Sequence, residues 1–186
     1  MNKTDLKKTL IFAAAVFVLT LSGAILPLSE GTYIHIGDAA VYIAALMLPT
    51  PLACIAAAVG AALSDAVLGS YAYIIPTLII KPLTVIVSRA LSRLSKDRSV
   101  SDLLACGAGA VTIVGYLAAE MVIGLIAGKE NAVAESLDSV VFNSVQALAS
   151  AVAFFILIGI ARRIHAVIQK KAEKKQEEQN ESADVQ

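Results

Sequence analysis

Six mostly apolar blocks follow one another along the chain, at residues 9–26, 39–48, 52–68, 76–94, 103–127 and 140–160. Five fall in the range of ~17–25 residues that an α-helix needs to cross a hydrocarbon core at 1.5 Å per residue. The second block has only ten residues. It ends at Pro49-Thr50-Pro51, a tight breaker, because proline donates no helix bond and restricts the residue before it. Gly69-Ser70 closes the third block, and Pro76, a favoured first helical residue, opens the fourth. Apolar blocks continue after the first one, so that block reads as a membrane span rather than a cleaved leader.

Positive charge sets the direction of the spans. Lys3, Lys7 and Lys8, the group Arg89, Arg93, Lys96 and Arg98, and the stretch from Arg162 to Lys175 hold 13 of the 15 Lys and Arg. Loops rich in these residues stay in the cytoplasm. The second block must therefore cross, using residues 34–38 as an outer extension; otherwise the turn at 89–98 would face outward. The pattern predicts an all-α membrane protein with six transmembrane helices and both termini inside. Loops 27–37, 70–75 and 128–138 then face outward, carrying one Lys and several acids.

Composition agrees with this picture. Of 186 residues, 58% are apolar and 16% charged, with no Trp, and mean hydropathy is +0.76. A soluble domain is about 45–50% apolar and about 25% charged. These values exclude a disordered chain and a secreted disulfide scaffold, and Cys54 and Cys106 are too few to staple one. Net charge is zero, so nothing suggests a nucleic-acid partner. We expect a membrane domain over 1–166 and a charged, partly disordered cytoplasmic tail over 167–186. No P-loop, paired CxxC or HExxH occurs.

The candidate chemistry lies in polar stripes on the last three spans. Thr77, Lys81, Thr84 and Ser88 sit at offsets 0, 4, 7 and 11, on one helical face. Thr112, Tyr116 and Glu120 form a second stripe, and Ser139, Asn143, Gln146 and Ser150 a third. An ionisable group inside a membrane helix costs ~2.5–3.5 kcal/mol, so it normally has a partner or a task. Three such stripes suggest one polar cavity. With the topology above, the costly groups all lie in the outer half, which argues for a pocket open to the outside rather than a channel.

Several of these residues admit two readings. Asp65 and Lys81 flank one short outer loop and serve either as a structural ion pair or as ligand contacts. Asp38 either caps the second helix or faces the pocket. His35 and Asp38 are two potential metal ligands, and two make no site. Tyr71 and Tyr73 are either interfacial aromatics or a lid, and Pro82 should kink the fourth helix. On the third span Ala53, Ala57 and Ala61 recur at spacing four, which permits close helix approach within the chain or against another subunit.

The stretch Gly31-Thr-Tyr-Ile-His-Ile-Gly-Asp38, then Ala62-Leu-Ser-Asp65 with Gly69, then Pro76-Thr-Leu-Ile-Ile-Lys81-Pro82 resembles the substrate-binding S components of energy-coupling factor (ECF) transporters. Gly115-Tyr116 with Glu120, and Asn143 with Gln146, are similar to the later helices of the riboflavin-type branch. The resemblance covers about residues 8–165. It implies a vitamin or vitamin precursor held from outside by helices four to six and the outer loops. The resulting candidates are Lys81, Thr84, Tyr116, Glu120, Asn143, Gln146, Asp65, Asp38, His35 and Tyr71. It also implies docking of the first three helices on a coupling membrane subunit that carries two cytosolic ATPases, with Ala13, Ala53, Ala57 and Ala61 as candidates. The family's Ala-x-x-x-Ala pair is not matched cleanly in the first span, where Thr9 precedes Ala13. The expectation is a non-enzymatic capture subunit in the plasma membrane, with no cofactor of its own because ATP is used by its partners. A self-sufficient carrier and an intramembrane enzyme are the rival readings.

Overall fold

The computed structural model describes residues 3–25, 27–29 and 32–184. Leu26, where the first span was predicted to end, Gly31 of the first motif, and the last two residues of the tail lie outside the described residues. Among the described residues seven α-helices carry the fold: α1 (Lys3–Leu21), α2 (Gly37–Met47), α3 (Thr50–Val67), α4 (Ile74–Ser92), α5 (Arg98–Cys106), α6 (Gly109–Ile126) and α7 (Ala132–Asp184). Between α1 and α2 lies a minimal antiparallel pair, β1 (Pro27–Ser29) with β2 (Thr32–Tyr33). The chain divides into two compact units, Met1–Phe154 and Phe155–Gln186.

Among the described residues, four helical stretches are long and apolar enough to cross a membrane: Thr50–Val67, Tyr71–Ser92, Arg98–Ile126 and Ala132–Arg163. The fifth apolar block is not one helix. It breaks into α5 and α6 at Gly107-Ala108, and α5 begins where the Asp97 side chain accepts a hydrogen bond from the Val100 N–H at 2.9 Å. α4 runs through Pro82 as one continuous helix.

The core of the first unit is built from α1 to α4. Val16, Val41, Ala44, Ala45, Ala53, Ala57, Ala61 and Val85 are its centre. α2 is buried along its length from Gly37 to Ala45, as expected of a helix that is apolar all round. Its end is held by Arg89, whose guanidinium donates to the Leu48 carbonyl and, at 3.1 Å, to the Thr50 hydroxyl.

The small-residue stripe of α3 has its partner inside the chain. Ala53, Ala57 and Ala61 are fully buried, and a Cβ on Gly60 would strike the Ala13 carbonyl of α1. The same approach half-buries Ala13. Of the two readings of the stripe, packing within the chain is the one Ala53, Ala57 and Ala61 adopt, where small side chains bring α1 and α3 into backbone contact; Ala13 stays part-exposed. The outward row of α3 is Ile55, Val59, Leu63 and Val67, and that of α4 includes Ile75, Ile79 and Leu83. Such exposed apolar rows suit lipid.

Candidate functional site

One carboxylate, one lysine and two threonines organise the interior. The Lys81 ammonium on α4 lies 2.5 Å from the Asp38 carboxylate on α2, and both side chains are essentially sealed, at 2% and 0% exposure. The Thr112 hydroxyl of α6 donates to the second Asp38 oxygen at 3.0 Å. Thr84 stands 3.3 Å from Thr112 and donates to the Ile80 carbonyl. Asp38, Lys81, Thr84 and Thr112 thus form one closed polar network, where each buried charge is met by an opposite charge or a hydroxyl. Asp38 makes no cap hydrogen bond. The unpaired N–H at the start of α2 is taken by His35, whose Nδ1 accepts from Gly37 at 3.1 Å.

α2 begins at Gly37 rather than at the expected extension from residue 34, so His35 lies in the loop ahead of it, outside the membrane-crossing helices. Burial, and then the nearby Lys81 charge, push its pKa down to about 4. A neutral imidazole is what the hydrogen bond requires, since a protonated Nδ1 cannot accept.

Beside this network lies a cavity of about 460 Å³, within the usual size of a small-molecule site. α6 lines it with Tyr116 and Glu120, and α7 with Phe142, Asn143 and Gln146; His35, Asp65 and Tyr73 complete its inner wall. Lys129, Glu135 and Asp138 lie at its exposed edge, where Lys129 and Glu135 pair at 2.7 Å. Two tight turns border it. α3 ends at Gly69, with φ +75°, and the Ser70 N–H returns to the Asp65 carbonyl at 2.8 Å. α6 ends in the same way at Gly128, with φ +71°, and the Lys129 N–H returns to Gly124 at 3.0 Å. Both are left-handed glycine caps that reverse the chain sharply.

Network and cavity meet at Tyr116. Its hydroxyl is 2.9 Å from the Thr77 hydroxyl, and its ring centroid is 5.2 Å from the Lys81 ammonium. Tyr73 leans on the same ring at 6.3 Å between centroids. Thr77 stands beside the Asp65 carboxyl, and Ser139 and Asn143 beside that of Glu120. Among the described residues, Asp65 Oδ2 and Asn143 Nδ2 are buried without a hydrogen-bond partner.

Of the ten residues the sequence singled out for ligand, His35, Asp65, Tyr116, Glu120, Asn143 and Gln146 come together around the cavity. Lys81, Thr84 and Asp38 do not line it; they are consumed by the network. Of the two readings of Asp65 and Lys81, the ion pair between them does not form: Lys81 pairs with Asp38. Tyr71 is 69% exposed and turned to the surface, while Tyr73, two residues on, takes the cavity wall. No α4 residue lines the cavity, because the α4 stripe faces α2 and α6. Ser70, Phe142 and Ser136 line it too, and sequence reasoning missed them. Ser139 belonged to the third stripe, but the rest offer only loop position and helical register as signals.

No curated protein and no solved structure shows a significant match to this chain. The family model for the ECF-type riboflavin transporter S component matches residues 2–163, the whole of the helical membrane region up to the basic end of its last span. This multi-pass membrane protein therefore belongs to the ECF-type riboflavin transporter S component family.

Proposed function

We propose that this substrate-binding transporter subunit captures a vitamin or vitamin precursor from outside the cell in the cavity between α6, α7 and the Asp65 end of α3. The single observation behind this reading is the convergence of Tyr116, Glu120, Asn143 and Gln146, from two different helices, on one cavity open to the surface. α1 and α2 complete six crossings with both termini in the cytoplasm, so the glycine turns at Gly69 and Gly128 face outward. The subunit sits in the plasma membrane and delivers its cargo through a coupling membrane subunit driven by two ATPases. It performs no bond chemistry and needs no cofactor of its own.

The docking surface in this reading is the outward apolar row of α3 and neighbouring α1, since the alanine stripe is occupied. Reconstitution tests the whole proposal. Purified protein alone in liposomes should bind labelled vitamins without accumulating them, and the complete complex should accumulate them only with ATP. Concentrative uptake by the protein alone would favour the self-sufficient carrier.

A further inference from the structure

The sequence leaves an anionic ligand open, because Lys81 offers a cation to meet a carboxylate or phosphate. The geometry removes that cation. Lys81 is sealed behind Tyr116 and bound to Asp38, and Lys129 at the rim is bound to Glu135. His35, the remaining basic group on the wall, is held neutral as an acceptor for Gly37. Asp65, Glu120 and Asp138 then line the cavity with no cation paired to any of them among the described residues.

One of the three is unusual. Asp65 is only 7% exposed, lines the cavity, and buries its Oδ2 without a hydrogen-bond partner. A carboxyl held in that way costs free energy until something meets it. The neighbouring walls are the rings of Tyr73, Tyr116 and Phe142, whose faces attract cations. Asn143 buries its amide Nδ2 on the same wall, beside the Glu120 carboxyl.

We propose that the cavity selects a small, positively charged nitrogen heteroaromatic, its charge met by Asp65 and its ring by the tyrosines, over neutral flavins and over anions. This rests on the cavity being the capture site. The probes are thiamine, a permanently cationic ring compound, its neutral carbon-for-nitrogen isostere deazathiamine, riboflavin, and anionic folate. Each is titrated by calorimetry into the full-length protein in nanodiscs. Thiamine should bind at least ~10-fold more tightly than deazathiamine, riboflavin or folate, the scale of one charge-assisted hydrogen bond. Asp65→Asn should erase most of the thiamine preference.

A second measurement separates a ligand contact from a structural role. In ligand-free protein, Asp65→Asn should leave thermal stability unchanged or raised, since it removes a buried charge whose Oδ2 has no hydrogen-bond partner. A lowered unfolding midpoint would make Asp65 structural and overturn the proposal. Riboflavin or folate binding more tightly than thiamine, with sensitivity to Asn143→Ala, overturns the charge selection and keeps the capture site. Binding of no probe overturns the charge selection, and the capture site is then decided by the reconstitution assay.

Discussion

At the scale of the residue, the strongest constraint is the sealed Lys81–Asp38 pair. Removing one partner strands the other charge in the interior, which typically costs about 3–5 kcal/mol. Lys81→Met and Asp38→Leu should each strongly destabilise the protein, and the double variant should recover much of the loss. Thermal unfolding of the four proteins in one detergent checks this, and additive losses would refute it. His35 sets a pH dependence of opposite chemistry. Its folded pKa, about 4, lies below the ordinary 6.5, so the unfolded chain binds more protons between those values. The stabilisation is complete above about pH 6.5 and fades as pH falls toward 4. His35→Gln should flatten the stability profile across that window, whereas a profile unchanged by the substitution would deny His35 its capping role.

Residue identity was legible here further than residue partnership. The cost of burying a charge picks out Lys81, Asp38, Asp65 and Glu120 from the sequence alone. It does not say which carboxylate meets the lysine, because Asp38 and Asp65 stand at similar depth on two different neighbours of α4. Only the packing of α2 against α4 decides for Asp38. The same limit explains the α4 stripe. Offsets of 0, 4, 7 and 11 fix one face of a helix, not the neighbour it meets. That face meets α2 and α6, so Thr84 and Lys81 lie behind the cavity wall.

At the scale of the element, hydrophobic blocks found every long helix, and two features escaped them. The fifth block hides a break at Gly107-Ala108, where an apolar sequence without proline carries little warning. α2 is too short to span ~30 Å by itself, at roughly 1.5 Å per residue, and its burial from Gly37 to Ala45 is a tertiary fact. The α1–α3 crossing gives a contrast that tests the packing. Ala57 is fully buried there, so Ala57→Leu should destabilise the isolated subunit by about 1–3 kcal/mol through overpacking. Gly60→Ala should be as severe, because its new methyl meets the Ala13 carbonyl and, at 2.9 Å, the Val16 side chain. Gly69→Ala meets nothing within 4 Å and should cost only the left-handed backbone term, about 1–2 kcal/mol. Unfolding midpoints that rank Gly69→Ala as the worst of the three would contradict a tight α1–α3 crossing.

At the scale of the whole molecule, charge and cavity make one joint prediction about orientation. The basic turn around Arg93 and Lys96 belongs inside by the positive-inside rule. The cavity edge at Ser70 and Lys129 belongs outside if the protein captures its ligand there. These sites lie at opposite ends of α4 and of the α5–α6 stretch, so both assignments hold together or fail together. Cys54 and Cys106 are both half-buried, which gives a weakly reactive background, and replacing them with Ala removes it. Single cysteines at Ser70, Lys129 and Lys96 can then be labelled in intact cells with a membrane-impermeant maleimide. Cysteines at 70 and 129 should react from outside, and the one at 96 only after the cells are opened. Bound ligand should slow the reaction at 70, which borders the cavity, and leave 96 untouched. Labelling of position 96 in intact cells would turn the molecule over and direct the cavity to the cytoplasm, which no importer subunit of this kind could use for capture.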